Sequence, residues 1–367
     1  MNKLRLKVSQ NVASLVPYPP GKPIEELERE LGITGSIKLA SNENPLGPSK
    51  KAIKAVAEAL SNLHRYPDGS CYYLKERLSE RLGISGESLI FGNGSNEIIE
   101  LLVRAFIREG DEVVMADPSF AVYPIAVKSV GAISVLVPLK DMRHDLVAMA
   151  KAITPKTKVV FIANPNNPTG TIVSSDELER FMNEVPEGVI VCIDEAYCEF
   201  VEDKKYPESL KYISGTKPVL ILRTFSKIYG LAGARIGYGI AQPELIDYLG
   251  RVRQPFNVNS LAQVAAINAL EDTEHTEATR RNNAEGLKYL YGEMASGGFE
   301  YVPTEANFFL IKVGDGRSVY EELLKKGVIV RPMASYGLGE YIRVSVGLPE
   351  ENRRFVAAFA QVVSSRR

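Results

Sequence analysis

The sequence is poor in cysteine: Cys71, Cys192 and Cys198 are the only three among 367 residues. An odd count without paired spacing argues against a disulfide-stabilised scaffold, so we expect each thiol to be a small buried group in a reducing compartment. The sequence also lacks an apolar run of the ~18 residues that a membrane-spanning helix needs. Its first residues lack the apolar region of a secretory signal. These absences predict a soluble, cytoplasmic protein.

No excess of either charge is present, because 44 lysines and arginines face 45 aspartates and glutamates and leave a net charge of −1. This balance argues against a nucleic acid or an anionic membrane as the partner. Histidine is also scarce, and His64, His144 and His275 occur outside any metal-ligand spacing, so we expect no metal site. The hydrophobic fraction of 45% and the charged fraction of 24% are typical of a folded globular protein.

The first 38 residues have the pattern of an arm. Residues 17–23 (PYPPGKP) are too rich in proline for a helix or a central strand, and the amphipathic segment after them predicts one short helix ending at Gly32. From 48 to 109 the pattern is helical, with a break at 65–70.

From residue 112 onward, short apolar runs alternate with helical segments. The runs lie at 112–116, 132–138, 158–163, 188–194, 219–224 and 235–241. Continuous Val, Ile and Leu runs separated by helices predict a mostly parallel sheet that is covered by helices on both faces. The last run follows its predecessor closely, which makes it the candidate for an antiparallel strand.

The pattern changes after Asn259. A helical stretch extends from Ser260 to about Ala295, near the upper length of globular helices, so we expect a break near Asp272. Strands follow at 307–313, 327–332 and 341–346, with helices at 317–326 and from about 349. The prediction is an α/β protein with an arm and small-domain segment at 1–38, a large domain at 39–259 and a small α+β domain at 260–367.

Four polar segments fall at one edge of the predicted sheet, the edge where open α/β sheets bind ligands. They are 92–96 (GNGSN), which opens a helix, and 164–170 (NPNNPTG), 194–197 (DEAY) and 225–227 (FSK), which follow apolar runs. Each alone has an ordinary explanation as a turn, a solvated strand end or a surface lysine. The combination of Asn167, Asp194, Lys227 and Arg235 at strand ends indicates one shared site.

Pyridoxal phosphate requires this combination of groups. Its aldehyde needs a lysine amine, its pyridine nitrogen needs a carboxylate that keeps the ring protonated, and its phenolic oxygen needs hydrogen-bond donors. Its phosphate needs a cradle such as the free N–H groups at a helix N-terminus. Ser95 and Asn96 open such a helix, and Thr224, Ser226 and Arg235 can add hydroxyls and a fixed positive charge.

The sequence resembles the fold-type I pyridoxal-phosphate aminotransferases over nearly its whole length, and among them it is most similar to the histidinol-phosphate aminotransferases. The resemblance is carried by residues 16–23, 38–49 (KLASNENPLGPS), 65–69, 92–106, 118–126 (PSFAVYPIA), 164–170, 193–200, 223–238 (RTFSKIYGLAGARIGY) and 328–347. The lysine segment, with an arginine eight residues later, is specific for the fold type. The first two segments indicate the subfamily.

The resemblance implies a role for each matching residue around the cofactor. Lys227 would form the covalent link and move the proton, Asp194 would pair with the ring nitrogen, and Tyr197 and Asn167 would donate to the phenolic oxygen. Phe120 would stack on the ring, at a position where the family often has tyrosine. The residues implied for the phosphate are Ser95, Asn96, Thr224, Ser226, Arg235 and, from the neighbouring subunit of a homodimer, Tyr66.

The resemblance also implies a substrate site. Arg343 would take a carboxylate, Arg331 and Tyr18 would bind a phosphate, and Asn44 would be a further contact. A planar guanidinium can make two parallel bonds to such an anion. The implied reaction transfers the amino group of L-histidinol phosphate to 2-oxoglutarate and gives imidazole acetol phosphate and L-glutamate, a step in histidine biosynthesis.

The cofactor residues leave related outcomes open, because they do not determine which bond at Cα breaks. An aromatic amino-acid aminotransferase or a threonine-phosphate decarboxylase shares much of this motif set. A protein of another class, a non-catalytic regulator that retains a transaminase domain, would carry a basic DNA-binding segment. The arm here carries one acidic helix instead.

Overall fold

The computed structural model describes residues 7–364, and residues 1–6 and 365–367 of the predicted arm and C-terminal domain lie outside the described residues. The helices are α1 (Gln10–Ala13), α2 (Ile24–Leu31), α3 (Lys50–Ala59), α4 (Tyr72–Leu82), α5 (Ser95–Phe106), α6 (Val122–Ser129), α7 (Leu146–Lys151), α8 (Ser175–Glu184), α9 (Pro243–Val252), α10 (Ser260–Leu270), α11 (Thr273–Ser296), α12 (Gly316–Lys325) and α13 (Pro349–Ser364). The strands are β1 (Ile37–Lys38), β2 (Leu89–Gly92), β3 (Glu112–Asp117), β4 (Ile133–Pro138), β5 (Thr157–Ala163), β6 (Ile190–Asp194), β7 (Val219–Thr224), β8 (Gly237–Ala241), β9 (Tyr301–Val302), β10 (Phe308–Lys312), β11 (Val328–Ile329), β12 (Arg331–Pro332) and β13 (Tyr341–Ser345). Within this range no helix is both long and apolar enough to cross a membrane.

Seven strands form the largest sheet, in the order β2-β8-β7-β6-β5-β3-β4. Strands β3 to β7 are parallel to their neighbours within that group. Strand β8 is antiparallel to both β7 and β2. The prediction of a mostly parallel sheet is confirmed, and so is the antiparallel strand near 235–241.

Both faces of this sheet are buried, which explains its continuous apolar strands. In β5, Val160 and Ile162 belong to a hydrophobic cluster that includes residues of α8 and α10. The alternating residues Val159 and Phe161 belong to a second cluster, with residues of α5, α6 and α9. A strand packed on two sides needs no polar face, so its sequence is one uninterrupted apolar run.

Helix boundaries follow capping signals in the sequence. At the start of α8, the Ser174 hydroxyl accepts from the Glu177 N–H, and the Glu177 carboxylate accepts from the Ser174 N–H. Gly32 ends α2 in the left-handed conformation. Asp272 caps α11 by accepting from the His275 N–H at 3.3 Å. The predicted break near Asp272 therefore separates α10 from α11.

A second, smaller sheet is built from the C-terminal part of the chain. Its antiparallel strands lie in the order β12-β13-β10-β9. A hydrophobic cluster joins its residues to those of α11, α12 and α13, such as Leu290, Leu323 and Phe355. Strand β1, from the start of the chain, pairs in parallel with β11 beside it.

The structure differs from the sequence prediction at two places. Residues 89–92, within a segment predicted to be helical, form strand β2. The apolar run at 327–332 is divided between β11 and β12, which belong to different sheets. Helix α10, the first element after the predicted boundary at 259/260, packs against α3 and α4 and contributes to the hydrophobic core of the large sheet. Strands of two to four residues are too short for periodicity to reveal.

Candidate active site

One pocket lies where β5, β6 and β7 end and α5 begins, with residues of β12 and β13 also on its wall. It contains all the predicted site residues except Asn44 and Tyr66. These residues are Tyr18, Ser95, Asn96, Phe120, Asn167, Asp194, Tyr197, Thr224, Ser226, Lys227, Arg235, Arg331 and Arg343. No group of three or more His, Cys, Asp or Glu side chains within residues 7–364 is placed to hold a metal ion.

Lys227 lies in the turn after β7, where its carbonyl accepts from the Gly230 N–H. Its Nζ is 3.4 Å from the carbonyl oxygen of Ser41 and 5.5 Å from the centre of the Tyr197 ring. Burial, assisted by the positive charge of Arg343, lowers the pKa of this lysine from 10.5 to about 8. About one tenth of such an amine is neutral at pH 7, whereas an ordinary lysine is almost entirely charged, and a nucleophile or a base must be neutral.

Asp194 ends β6 and is 5% exposed. One carboxylate oxygen, Oδ2, accepts from the Tyr123 hydroxyl at 2.7 Å, and Oδ1 accepts from the Ala196 N–H at 3.1 Å. Burial raises the pKa of Asp194 from 3.8 to about 6, while both hydrogen bonds act in the opposite direction. Both donors are neutral, so the geometry orients a buried carboxylate that a positively charged ligand group would stabilise.

The start of α5 forms an anion cradle with two neighbouring segments. Gly94 has a φ of +73°, and a Cβ atom there would lie 2.7 Å from Nη2 of Arg235. Helix α5 begins at the next residue, Ser95, so its free N–H groups and this guanidinium lie close together. The Thr224 hydroxyl accepts from the Ser226 N–H at 3.1 Å and donates to the Ser226 hydroxyl at 3.0 Å.

Tyr197 and Asn167 offer two neutral hydrogen-bond donors in the same pocket as the lysine. The Tyr197 hydroxyl accepts from Nδ2 of Asn42 at 2.9 Å, and burial raises the pKa of this tyrosine to about 12. The amide oxygen of Asn167 accepts from Nη1 of Arg343. Because each acceptor oxygen is already engaged, the phenol hydrogen and the amide hydrogens of Asn167 are available to a ligand.

Arg331 and Arg343 are directly opposite each other on the antiparallel strands β12 and β13. They are 7% and 5% exposed, and they donate to the carbonyl oxygens of Pro19 (2.7 Å) and Ala40 (3.0 Å). The Tyr18 ring is 5.4 Å from Cζ of Arg331. Like charges opposite one another destabilise a sheet, and the oxygens that accept from these guanidinium groups are uncharged. The pair is therefore arranged for an anionic ligand.

Two further polar residues, Asn42 and Tyr123, line this pocket. The spacing of the motifs along the sequence does not identify them. Their hydrogen bonds, to Tyr197 and Asp194, join positions that are 155 and 71 residues apart. The one available signal is that both residues lie within segments that carry the family resemblance. The ring of Phe120 also lines the pocket, with an edge contact to Tyr123 at 5.5 Å.

Asn44, predicted as a substrate contact, is not among the residues that line the pocket. Its Nδ2 donates to the carbonyl of Ile228 at 3.0 Å and to the hydroxyl of Thr279 at 3.1 Å. Its Oδ1 accepts from the Leu46 N–H at 3.0 Å. The amide is thus occupied in holding the turn, and Asn42, two residues earlier, lines the pocket instead.

Tyr66 also lies outside the pocket of its own chain. Its side chain is 83% exposed and stacks on Phe256, with ring centres 5.0 Å apart. Leu60, Leu63, Tyr72 and Tyr73 are exposed large hydrophobic residues nearby in the chain. Exposed large hydrophobic side chains of this kind are frequent where another protein binds.

Comparison with known proteins gives one consistent family. The family model described as "Aminotransferase class I and II" matches residues 34–359. A protein of Moorella thermoacetica named histidinol-phosphate aminotransferase is 51% identical over 98% of this chain and 93% of its own length. A protein of Desulfotalea psychrophila with the same name is 48% identical over 97% of this chain and 95% of its own length.

A solved structure shows the same likeness. The crystal structure of histidinol-phosphate aminotransferase from Sinorhizobium meliloti in complex with pyridoxal-5'-phosphate has a TM-score of 0.91 and 28% sequence identity, over 100% of both chains. The pocket described above has the lysine, carboxylate and anion cradle that this cofactor requires. The chain therefore belongs to the class I and II aminotransferases, which are pyridoxal-phosphate-dependent enzymes.

Proposed function

We propose that this protein is a histidinol-phosphate aminotransferase. It transfers the amino group of L-histidinol phosphate to 2-oxoglutarate and yields imidazole acetol phosphate and L-glutamate. The relatives of that name, about half identical over nearly the whole chain, support the assignment. The observation that carries it is the opposed pair Arg331 and Arg343 on the wall of the cofactor pocket.

Two fixed guanidinium groups suit both half-reactions. Glutamate and 2-oxoglutarate carry two carboxylates, whereas histidinol phosphate carries no carboxylate and one phosphate. Arg343 would bind the α-carboxylate, and Arg331 with Tyr18 would bind the side-chain carboxylate or, in the other half-reaction, the phosphate. Bidentate bonds from a planar guanidinium fit either anion.

The residues that line the pocket support a binding site for each polar group of pyridoxal phosphate. Ser95 and Asn96 at the start of α5, with Thr224, Ser226 and Arg235, would hold the phosphate. Asp194 would face the ring nitrogen, and Phe120 would pack on the ring. When bound, this cofactor supplies an electron sink for the negative charge that develops at the substrate Cα.

The residues of the chain would supply binding, orientation and proton transfer. Lys227, with a pKa lowered to about 8, would hold the cofactor covalently and then act as the base at Cα of the substrate. The charge of Asp194 would keep the ring nitrogen protonated, and the Tyr123 hydroxyl would hold this carboxylate in place. Tyr197 and Asn167 would donate to the phenolic oxygen.

The proposal includes a homodimer with shared sites. The exposed hydrophobic residues Leu60, Leu63, Tyr66, Tyr72 and Tyr73 would contact a second copy of the chain. Tyr66 would then reach the cofactor phosphate of that second copy. We also place the enzyme in the cytoplasm, because its three cysteines form no disulfide and a reducing compartment would keep them free.

Absorbance of the purified protein tests the proposal. Bound cofactor gives a band in the violet region, which glutamate should abolish and 2-oxoglutarate should restore. The catalytic efficiency, kcat/KM, is then compared for histidinol phosphate, phenylalanine, tyrosine and threonine phosphate. We expect histidinol phosphate to give the highest value. A higher value for an aromatic amino acid, or release of carbon dioxide from threonine phosphate, would contradict the assignment.

A further inference from the structure

Asn42 joins the substrate side of the pocket to the cofactor side. Its side chain is 2% exposed, and its Nδ2 donates to the hydroxyl of Tyr197 at 2.9 Å. Its backbone N–H donates to Oγ of Ser345 at 2.9 Å, on strand β13. Ser345 is two residues from Arg343, so one asparagine contacts both the strand that carries this arginine and the tyrosine beside the lysine.

The hydrogen bonds to Ser345 fix the orientation of the Asn42 amide. The Ser345 hydroxyl accepts from the Asn42 N–H, and it donates its own hydrogen to Oδ1 of Asn42 at 3.1 Å. If the amide were reversed, the serine hydroxyl would face an NH₂ group and lose this acceptor. This network favours the orientation in which the amide nitrogen faces Tyr197 as a donor.

A donor at this position determines the direction of the tyrosine hydroxyl. A hydroxyl has one hydrogen, and one of the two lone pairs of Tyr197 is occupied by the Asn42 amide. The hydrogen cannot point at the NH₂ group, so it is left for an acceptor elsewhere. Tyr197 lines the pocket, where such an acceptor would bind.

We propose that Asn42 is a positioning residue that directs the hydroxyl hydrogen of Tyr197 into the pocket and toward the phenolic oxygen of bound pyridoxal phosphate. This inference rests on the proposed function and deepens it. Asn42 does not need to touch the cofactor, because it acts through the hydroxyl of Tyr197. It links that hydroxyl to β13, the strand on which Arg343 would bind a substrate carboxylate.

The backbone at Asn42 is consistent with this role. Its φ is +55°, in the left-handed region that asparagine and glycine tolerate better than other residues. Its carbonyl accepts from Nδ2 of Asn307 at 3.1 Å. Glycine at position 42 would keep this backbone and remove only the side chain.

The test is a pH titration of the absorbance of the bound cofactor. A hydrogen bond to the phenolic oxygen stabilises its negative charge, so its loss should raise the pKa of the lysine–cofactor link. In Asn42→Asp, the carboxylate would accept the hydrogen of Tyr197 and withdraw it from the pocket. We expect this pKa to rise by about 0.5 to 1 unit. Asn42→Gly should shift it in the same direction by a smaller amount, without an added charge.

A double variant separates this route from other charges near Tyr197. The groups that act on the tyrosine are Arg343, Asp194, Tyr18 and, over its ring, Lys227. If Asn42 acts through the tyrosine hydroxyl, Asn42→Gly should cause little further shift once Tyr197→Phe has removed that hydroxyl. The matched control is Asn307→Ala, a change at an equally buried asparagine whose Nδ2 donates to the Asn42 carbonyl rather than to Tyr197. This control should titrate like the wild type.

The outcomes are distinct. A shift in the Asn42 variants that disappears in the Tyr197→Phe background supports the proposal. If Asn42→Asp and Asn42→Gly both titrate like the wild type, or if the shift persists without the tyrosine hydroxyl, the proposal is wrong. Bleaching of the wild-type absorbance by glutamate tests the proposed function independently, so the two failures are distinguishable.

Discussion

Replacing Arg331 by glutamine should impair the reaction of histidinol phosphate selectively. Arg331 is 7% exposed, and Nη2 already donates to Pro19, which leaves its other N–H groups for a ligand. Glutamine keeps a donor but loses the charge. A hydrogen bond to a charged group contributes about 1.5–3 kcal/mol. The loss in kcat/KM should therefore be roughly 10- to 150-fold.

Phenylalanine and tyrosine provide the comparison. Each presents one carboxylate, which Arg343 alone can bind, so we expect their kcat/KM to change less than about threefold in Arg331→Gln. Arg331→Lys should recover part of the loss for histidinol phosphate, because it restores the charge without the planar fork.

The assay is a single-turnover reaction of the cofactor-loaded enzyme with each amino donor, followed by absorbance. This form of the assay matters because 2-oxoglutarate would also contact Arg331 and would mask the selectivity in a full cycle. The matched control is Arg317→Gln, at an arginine whose side chain is 80% exposed and paired with Glu321. It should change no rate by more than about twofold.

Equal losses for all three donors would refute this reasoning and make Arg331 a structural residue. The free energy of unfolding gives an independent check. Arg331 and Arg343 are like charges opposite each other, and the glutamine variant removes this repulsion. Its free energy of unfolding should therefore fall by at most about 1 kcal/mol relative to the wild type. A larger loss of stability together with uniform kinetic losses would contradict the assignment of Arg331 to the ligand.

Three further predictions concern the cofactor. Lys227→Ala should abolish transamination and let dialysis remove the cofactor. In the wild type, the rate at which Lys227 attaches the cofactor covalently should rise with pH and level off above about pH 8, where the amine becomes neutral. Asp194→Asn should lose most turnover yet raise the free energy of unfolding of the cofactor-free protein at pH 7 by up to about 3 kcal/mol in denaturant titrations. The sign follows from a folded-state pKa raised to about 6, because the cost of the buried charge is present above pH 6 and disappears below the unfolded value of 3.8. A hybrid dimer of Tyr66→Phe and Lys227→Ala chains should contain one site without either defect, and activity no higher than that of the two parents would show that Tyr66 does not serve the opposite subunit.

Burial explains which elements of the fold could be predicted from the sequence. Residues 158–163 form an uninterrupted apolar run because β5 is packed on both faces, and Asp272 marks a helix start because a free N–H needs an acceptor. Strands β1 and β2 could not be predicted in this way. They are two and four residues long, and their positions depend on partners far along the chain.

The residues of the site also differ in whether a local sequence pattern could place them. Asp194 and Lys227 could be placed together because parallel strands bring their carboxyl ends to one edge of a sheet. The direct opposition of Arg331 and Arg343 depends on the register of β12 and β13, which no local pattern specifies. Asn42 rather than Asn44 lines the pocket because the side chain of Asn44 forms the hydrogen bonds of the turn.

The contact between Asn42 and Ser345 has a consequence for protein synthesis. The two residues are separated by 303 positions, so Asn42 is translated well before Ser345. Lys227, Asp194 and Tyr197 therefore all leave the ribosome before β13 exists, and during that interval neither the asparagine amide nor Arg343 can hold its place. A nascent chain that stops short of β13 has the lysine but not the finished pocket, so the active site can be completed only after β13 has been translated.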